Sequence, residues 1–129
     1  MTNTTNDATT TLIKALIEHL RGANDTWESL AMVIEFDGGE LSGTYGYTYS
    51  PEGTVAAVAS RPSGIRTAVT AYLSDYYKPG ESLPVKILVQ FERTSGEYEV
   101  TFEDTDTARW SVTPKNITTI REELRPQFS

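Results

Sequence analysis

The chain has no cysteine and a single histidine among 129 residues. Disulfides and thiolate metal sites are therefore excluded, and Cys-His chemistry with them. A serine triad would have to use His19, and no GxSxG elbow accompanies it. There is no HExxH, no calcium loop and no phosphate loop. Basic residues are scarce: eleven Lys and Arg stand against eighteen Asp and Glu, for a formal net charge of -7. That balance disfavours nucleic acid as a direct ligand, because phosphate contacts need a basic patch. It suits a basic protein partner, whose encounter the acidity would steer. Plain solubility accounts for it as well. No apolar run approaches the length of a membrane span. The start, MTNTTNDATTT, lacks the basic and apolar regions of a signal peptide. A cytoplasmic protein is expected, and the absence of cysteine fits a reducing compartment.

What is present is organised around residues 83–103, LPVKILVQFERTSGEYEVTFE. Val85, Ile87, Val89 and Phe91 alternate, as do Tyr98, Val100 and Phe102, so each set lines one face of a strand. Arg93-Thr94-Ser95-Gly96 reads as the turn between them. The opposite set of the second strand, Glu97, Glu99, Thr101 and Glu103, makes an acidic row that Asp104 and Asp106 extend.

The remaining chain reads as helix, strands, helix, strands, helix. Residues 1–9 are polar and threonine-rich and are expected to be a disordered tail; residues 10–129 are expected to form one domain. A threonine among Thr9–Thr11 is expected to cap a helix bearing Leu12, Leu16 and Leu20, with Gly22 as its stop. Trp27 is a core anchor or a lid on the sheet edge. Met32, Ile34 and Phe36, a turn at Asp37-Gly38-Gly39, then Leu41, Gly43, Tyr45, Tyr47 and Tyr49 predict a hairpin with each set on one face. Val55, Ala57 and Ala59 predict a weak third strand or an irregular crossing. Ser63 is expected to cap a second helix running to Tyr77, stopped by Pro79 and Gly80. Ala108, Trp110 and Val112 predict a short last strand. Thr113-Pro114 predicts the start of a third helix carrying Ile117, Ile120 and Leu124. The expected fold is α+β: one antiparallel sheet of four to six strands with three helices, read as two helix-hairpin units plus a C-terminal helix. The helices should cover the apolar sheet face, leaving the other face partly wet.

For function the residues offer little catalytic chemistry. Glu103, Asp104 and Asp106 are better explained as a solvated charge run than as a metal site, and no His or Lys stands near them in sequence. No catalytic residue, cofactor or metal is expected. Tyr72 and Tyr76 share a helix face and Tyr77 is rotated away, so Tyr77 is the ring expected to be exposed and a candidate interface residue.

Several stretches resemble the YezG-like immunity proteins of bacterial polymorphic toxin systems. They are the leading helix with Trp27 opening a strand, the segment IEFDGGELSGTYGY, and the segment FERTSGEYEVTFEDTD, together spanning residues 12–106. The chain departs from that pattern in its Trp110 and full C-terminal helix, and in lacking a charged, tryptophan-bearing lead before the second hairpin. The resemblance implies a small acidic cytoplasmic protein that binds and neutralises a cognate secreted toxin, often a nuclease. The residues for that role are Glu97, Glu99, Glu103, Asp104 and Asp106, with Tyr77 beside them, occluding a basic cleft without turnover. The rival reading is a small-molecule-binding or homodimeric α+β module with no toxin partner.

Overall fold

The centre of the molecule is an unbroken apolar run, Leu30 to Ile34, in which all five residues are fully buried. A strand with both faces covered is the physical reason for such a run. In the computed structural model, which describes residues 4–78 and 80–127, this run lies in β2 (Ser29–Asp37). Before it come α1 (Thr4–Glu18) and the two-residue β1 (Leu20–Arg21); after it come β3 (Glu40–Tyr49), β4 (Val55–Ser60) and α2 (Pro62–Ser74). Then follow β5 (Lys86–Glu92), β6 (Tyr98–Glu103) and α3 (Ile120–Leu124). The described strands form one six-stranded sheet in the order β1-β4-β3-β2-β5-β6, antiparallel throughout. The fold is α+β, as its sequence implies, and the hairpins β2–β3 and β5–β6 join through β2 and β5.

Helices α1 and α2 cover one face. Leu12, Leu16, Ile65 and Val69 pack there on Leu30, Met32, Ile34, Ile87 and Val89. Trp27 is a buried anchor of this core, with the Arg93 guanidinium 4.3 Å from its ring and donating to its carbonyl. The close packing of the helical layer depends on Gly64: a Cβ there would meet the His19 ring at 2.3 Å. His19 lies just past α1, where its ring packs on α2. Gly46 has a comparable role within the sheet, since a Cβ would lie 1.9 Å from the Ala31 carbonyl oxygen of β2.

The other face is not left wet. A strap of residues 108–125, including α3, lies across it, and Trp110, Ile120 and Leu124 form a second core with Ala31, Val33, Tyr47, Tyr49 and Leu88. Hydrogen bonds from sheet side chains fix it. Tyr45 Oη donates to the Trp110 carbonyl (2.8 Å), Tyr49 Oη to the Arg121 carbonyl, and Gln90 Nε2 to the Leu124 carbonyl (2.8 Å). The buried Lys86 Nζ donates to the Arg109 carbonyl (2.9 Å) and to Ser111 Oγ (3.0 Å).

Several sequence expectations are corrected. α1 begins at Thr4, so Thr9–Thr11 lie inside the helix and cap nothing. The expected tail is thus helical from Thr4, and residues 1–3 lie outside the described residues. Threonine costs a helix only a few tenths of a kcal/mol (roughly) against other residues, and Ala8 and Thr9 find cover against the core. The helix ends before Leu20, which pairs with Ser60 of β4, so Gly22 is a turn residue at φ +94° and not the helix stop. β3 is not one alternating set. A bulge skips Ser42, pairing Phe36 with Leu41 and Glu35 with Gly43, so Leu41 faces the helices while Tyr45, Tyr47 and Tyr49 face the strap.

Arg61 takes the N-cap position of α2 in extended conformation, without a side-chain cap, Pro62 stands at the first position, and Ser63 falls inside. The helix ends at Ser74 and continues to Tyr77 only as a turn; Pro79 lies outside the described residues. Ala108, Trp110 and Val112 form no strand. Trp110 stands in the left-handed region at φ +64°, and the carbonyls of Arg109 and Trp110 are held by Lys86 and Tyr45 instead of a ladder. The third helix does not start at Pro114. Thr113 and Asn116 cap each other, residues 114–119 are turns, and Ile117 is 52% exposed. Asn and Thr are weak helix formers, so this stretch becomes helical only where Ile120 and Leu124 reach the core.

A candidate protein-binding edge

Among the described strands β6 is the last of the sheet and pairs with β5 alone. Two hydrogen bonds fix which way its main chain points. Glu92 N donates to the Glu97 carbonyl, and Val85 N donates to the Glu103 carbonyl. The odd-numbered residues therefore turn their N–H and C=O groups toward β5, and the even-numbered ones turn them outward. Val100 and Phe102 thus present main-chain donors and acceptors along an open edge.

The two sides of this edge differ in chemistry. On the helix side Phe102 sits among tyrosines: Tyr77 stacks on it at 6.0 Å, and Tyr76 and Tyr72 meet it edge-on at 5.4 and 6.1 Å. Tyr76 is 44% exposed and Tyr98 39% exposed. The exposed ring is therefore Tyr76, in the turn just past α2, whereas Tyr77, expected to be the exposed one, is half-buried against Phe102. The reason is that α2 has ended by Ser74, so the following turn redirects the ring of Tyr77 onto β6. Burial, with Asp104 and Glu81 nearby, raises the Tyr77 phenol above its ordinary value.

On the strap side stands the acidic row, and the structure divides it. Glu103 Oε1 accepts from Arg109 Nη1 at 2.8 Å, and Oε2 accepts from the amides of Thr105 and Asp106 at 3.1 and 3.0 Å. The Asp106 amide, then Arg109, then the Thr105 amide hold the Glu103 carboxyl down at about 2. Asp106 Oδ1 accepts from the Ala108 amide at 2.9 Å. These two carboxylates fold the loop that leads into the strap. The side chains of Glu97 and Glu99 make no ion pair among the described residues and are exposed, as is Asp104. Asp104 thus lies near Tyr77, Glu103 is taken up by the loop into the strap, and Glu97 and Glu99 stand at the hairpin end.

Sequence reading missed Tyr76 and the outward main chain of β6. An acidic row on a terminal strand hinted at an edge, but the strand order needed for that is a long-range property. It also missed Lys86, Tyr45 and Gln90 as strap anchors. The signal available was polar residues at the inward positions of otherwise apolar strands.

The surface also carries two depressions. One, of about 520 Å³, lies between α2 and the β2–β3 turn, with Phe36, Leu41, Val69 and Leu73 lining it and Arg66 and Glu40 beside them. The other, of about 450 Å³, lies beside the strap, against Tyr45, Tyr47 and Ile117. Among the described residues no group of three or more His, Asp or Glu is disposed to hold a metal ion, and no helix is long and apolar enough to cross a membrane. Comparison of the chain with protein-family models, with curated proteins and with solved structures finds no match.

Proposed function

We propose that the protein is an immunity protein: it binds a cognate bacterial toxin in the cytoplasm and neutralises it by covering a basic, nucleic-acid-binding cleft. The observation that carries this reading is the β6 edge, where the exposed carboxylates Glu97, Glu99 and Asp104, which make no ion pair among the described residues, stand beside exposed aromatic rings. Carboxylates speed encounter with a basic surface and fix register. Buried tyrosines supply the contact area that dominates such interfaces. The mechanism is steric and electrostatic occlusion, with no turnover and no cofactor.

Co-expression with the product of the adjacent upstream gene tests it. A one-to-one complex and restored growth are expected. No complex and no protection, with a symmetric dimer in isolation, would instead favour the stand-alone module, for which the 520 Å³ groove is the ligand site.

A further inference from the structure

We propose that β6 takes up an extended segment of its partner as a seventh strand, and that this segment alternates apolar and basic residues. The inference rests on reading this edge as the partner-binding surface, and it specifies how the binding is made.

Three features of β6 converge on it. The outward N–H and C=O groups of Val100 and Phe102 are spaced for a strand ladder, following from the bonds that commit Glu97 and Glu103 to β5. A strand laid beside them places alternate side chains on opposite faces. On the helix side these residues meet Val100, Phe102 and the exposed rings of Tyr76 and Tyr98, which favour an apolar or aromatic partner. On the strap side they meet Glu97 and Glu99, which make no ion pair among the described residues, and favour Lys or Arg.

The same register argues against a second copy of this chain as the occupant. Antiparallel pairing of two β6 edges about Val100 would set Glu97 of one copy opposite Glu103 of the other, with Glu99 close by on both. Like charges directly opposite destabilise a strand pair, and charged edges are a known device against self-association. In this register the edge disfavours a second copy of itself and favours a basic strand.

The test uses the full chain and a synthetic nine-residue peptide alternating lysine and valine, read by amide hydrogen exchange. In the free protein the amides of Val100 and Phe102 should exchange fast, and those of Glu99 and Thr101, which face β5, slowly. Saturating peptide should slow Val100 and Phe102 by at least about tenfold while leaving Glu99 and Thr101 nearly unchanged. A peptide alternating glutamate and valine should slow neither. Val100→Pro removes one outward N–H at an edge position where proline is tolerated. It should weaken lysine-peptide binding about tenfold with the melting temperature little changed. Should that variant not fold, exchange on the unaltered chain decides alone. Unslowed edge amides, equal protection by the glutamate peptide, or edge amides already protected in a concentration-dependent dimer would each overturn the proposal. The two readings separate cleanly. A peptide-protected edge without toxin neutralisation keeps strand addition and removes the immunity role. Full neutralisation by a folded Val100→Pro protein does the reverse.

Discussion

The two faces of the sheet are covered in different ways. On the helix face the contact is mainly apolar: α1 and α2 lay Leu12, Leu16, Ile65 and Val69 on Met32, Ile34, Ile87 and Val89, and Ser60 Oγ donates to the Leu16 carbonyl in the last turn of α1. On the strap face only Trp110, Ile120 and Leu124 are large apolar contributions from the strap, and the rest of the grip is polar. Sheet side chains Tyr45, Tyr49, Lys86 and Gln90 hold main-chain carbonyls of a segment with little regular structure. A helix satisfies its own carbonyls and needs only an apolar stripe to dock. An irregular segment brings unsatisfied carbonyls with it, and burying them requires donors supplied by the surface beneath. The strap face carries those donors at positions where the helix face carries Ile and Val.

This contrast can be broken from either side. Leu16→Ala should have the largest effect, because Leu16 of α1 is fully buried in the core between the helices and the sheet. A loss of about 2–5 kcal/mol is expected, seen as a lower denaturant midpoint of the whole cooperative transition. Lys86→Met should cost less, about 1–3 kcal/mol, by leaving the Arg109 carbonyl and its neighbours without their donor. Its effect should be local. Proteolysis within residues 104–119 should rise sharply, while exchange protection in β2 and β5 persists; a uniform loss of protection would show that the two faces are not separable.

Glu103 offers the smallest and most specific probe. Its folded carboxyl titrates at about 2, below the ordinary 4.5. The group is charged in the folded loop at pH values where the unfolded chain binds a proton. Its contribution is therefore full above about pH 4.5 and lost as pH falls through about 2. The Thr105 and Asp106 amides should lose exchange protection over that window, with the helix-face core unaffected. Glu103→Gln should remove the dependence.

Much of the helix face was legible in the sequence. Ile87, Val89 and Phe91 alternate, the turn at Arg93–Gly96 is a strong local signal with Gly96 at φ +76°, and Ile65, Val69 and Leu73 mark α2. These are short-range patterns, and the structure follows them. The strap face was not legible, since its order comes from contacts far apart in sequence. Ala108, Trp110 and Val112 alternate by coincidence, and the left-handed Trp110 is held by Tyr45, 65 residues away. The bulge at Ser42 has only the neighbouring Gly43 as its mark, yet it decides which face Leu41 shares. The run Leu30–Ile34 did carry a sign of two covered faces, five apolar residues in succession, which alternation alone discards. At the candidate site the acidic row was readable residue by residue. Its division into the loop-binding Glu103 and Asp106 and the free Glu97 and Glu99 was not, because it depends on where Arg109 and the 104–108 amides fold back.

The account rests most heavily on the free carboxylates of the β6 edge, and one measurement reaches them directly. The affinity of the co-expressed toxin should be compared for the unaltered protein and the Glu97→Lys/Glu99→Lys variant, by calorimetry at fixed salt. Both residues are exposed and make no ion pair among the described residues, so the fold and melting temperature should stay unchanged. The account predicts an affinity loss on the order of 100-fold, carried partly by slower association and shrinking as salt rises. Unchanged affinity and unchanged protection in the double variant would contradict it and move the interface away from β6.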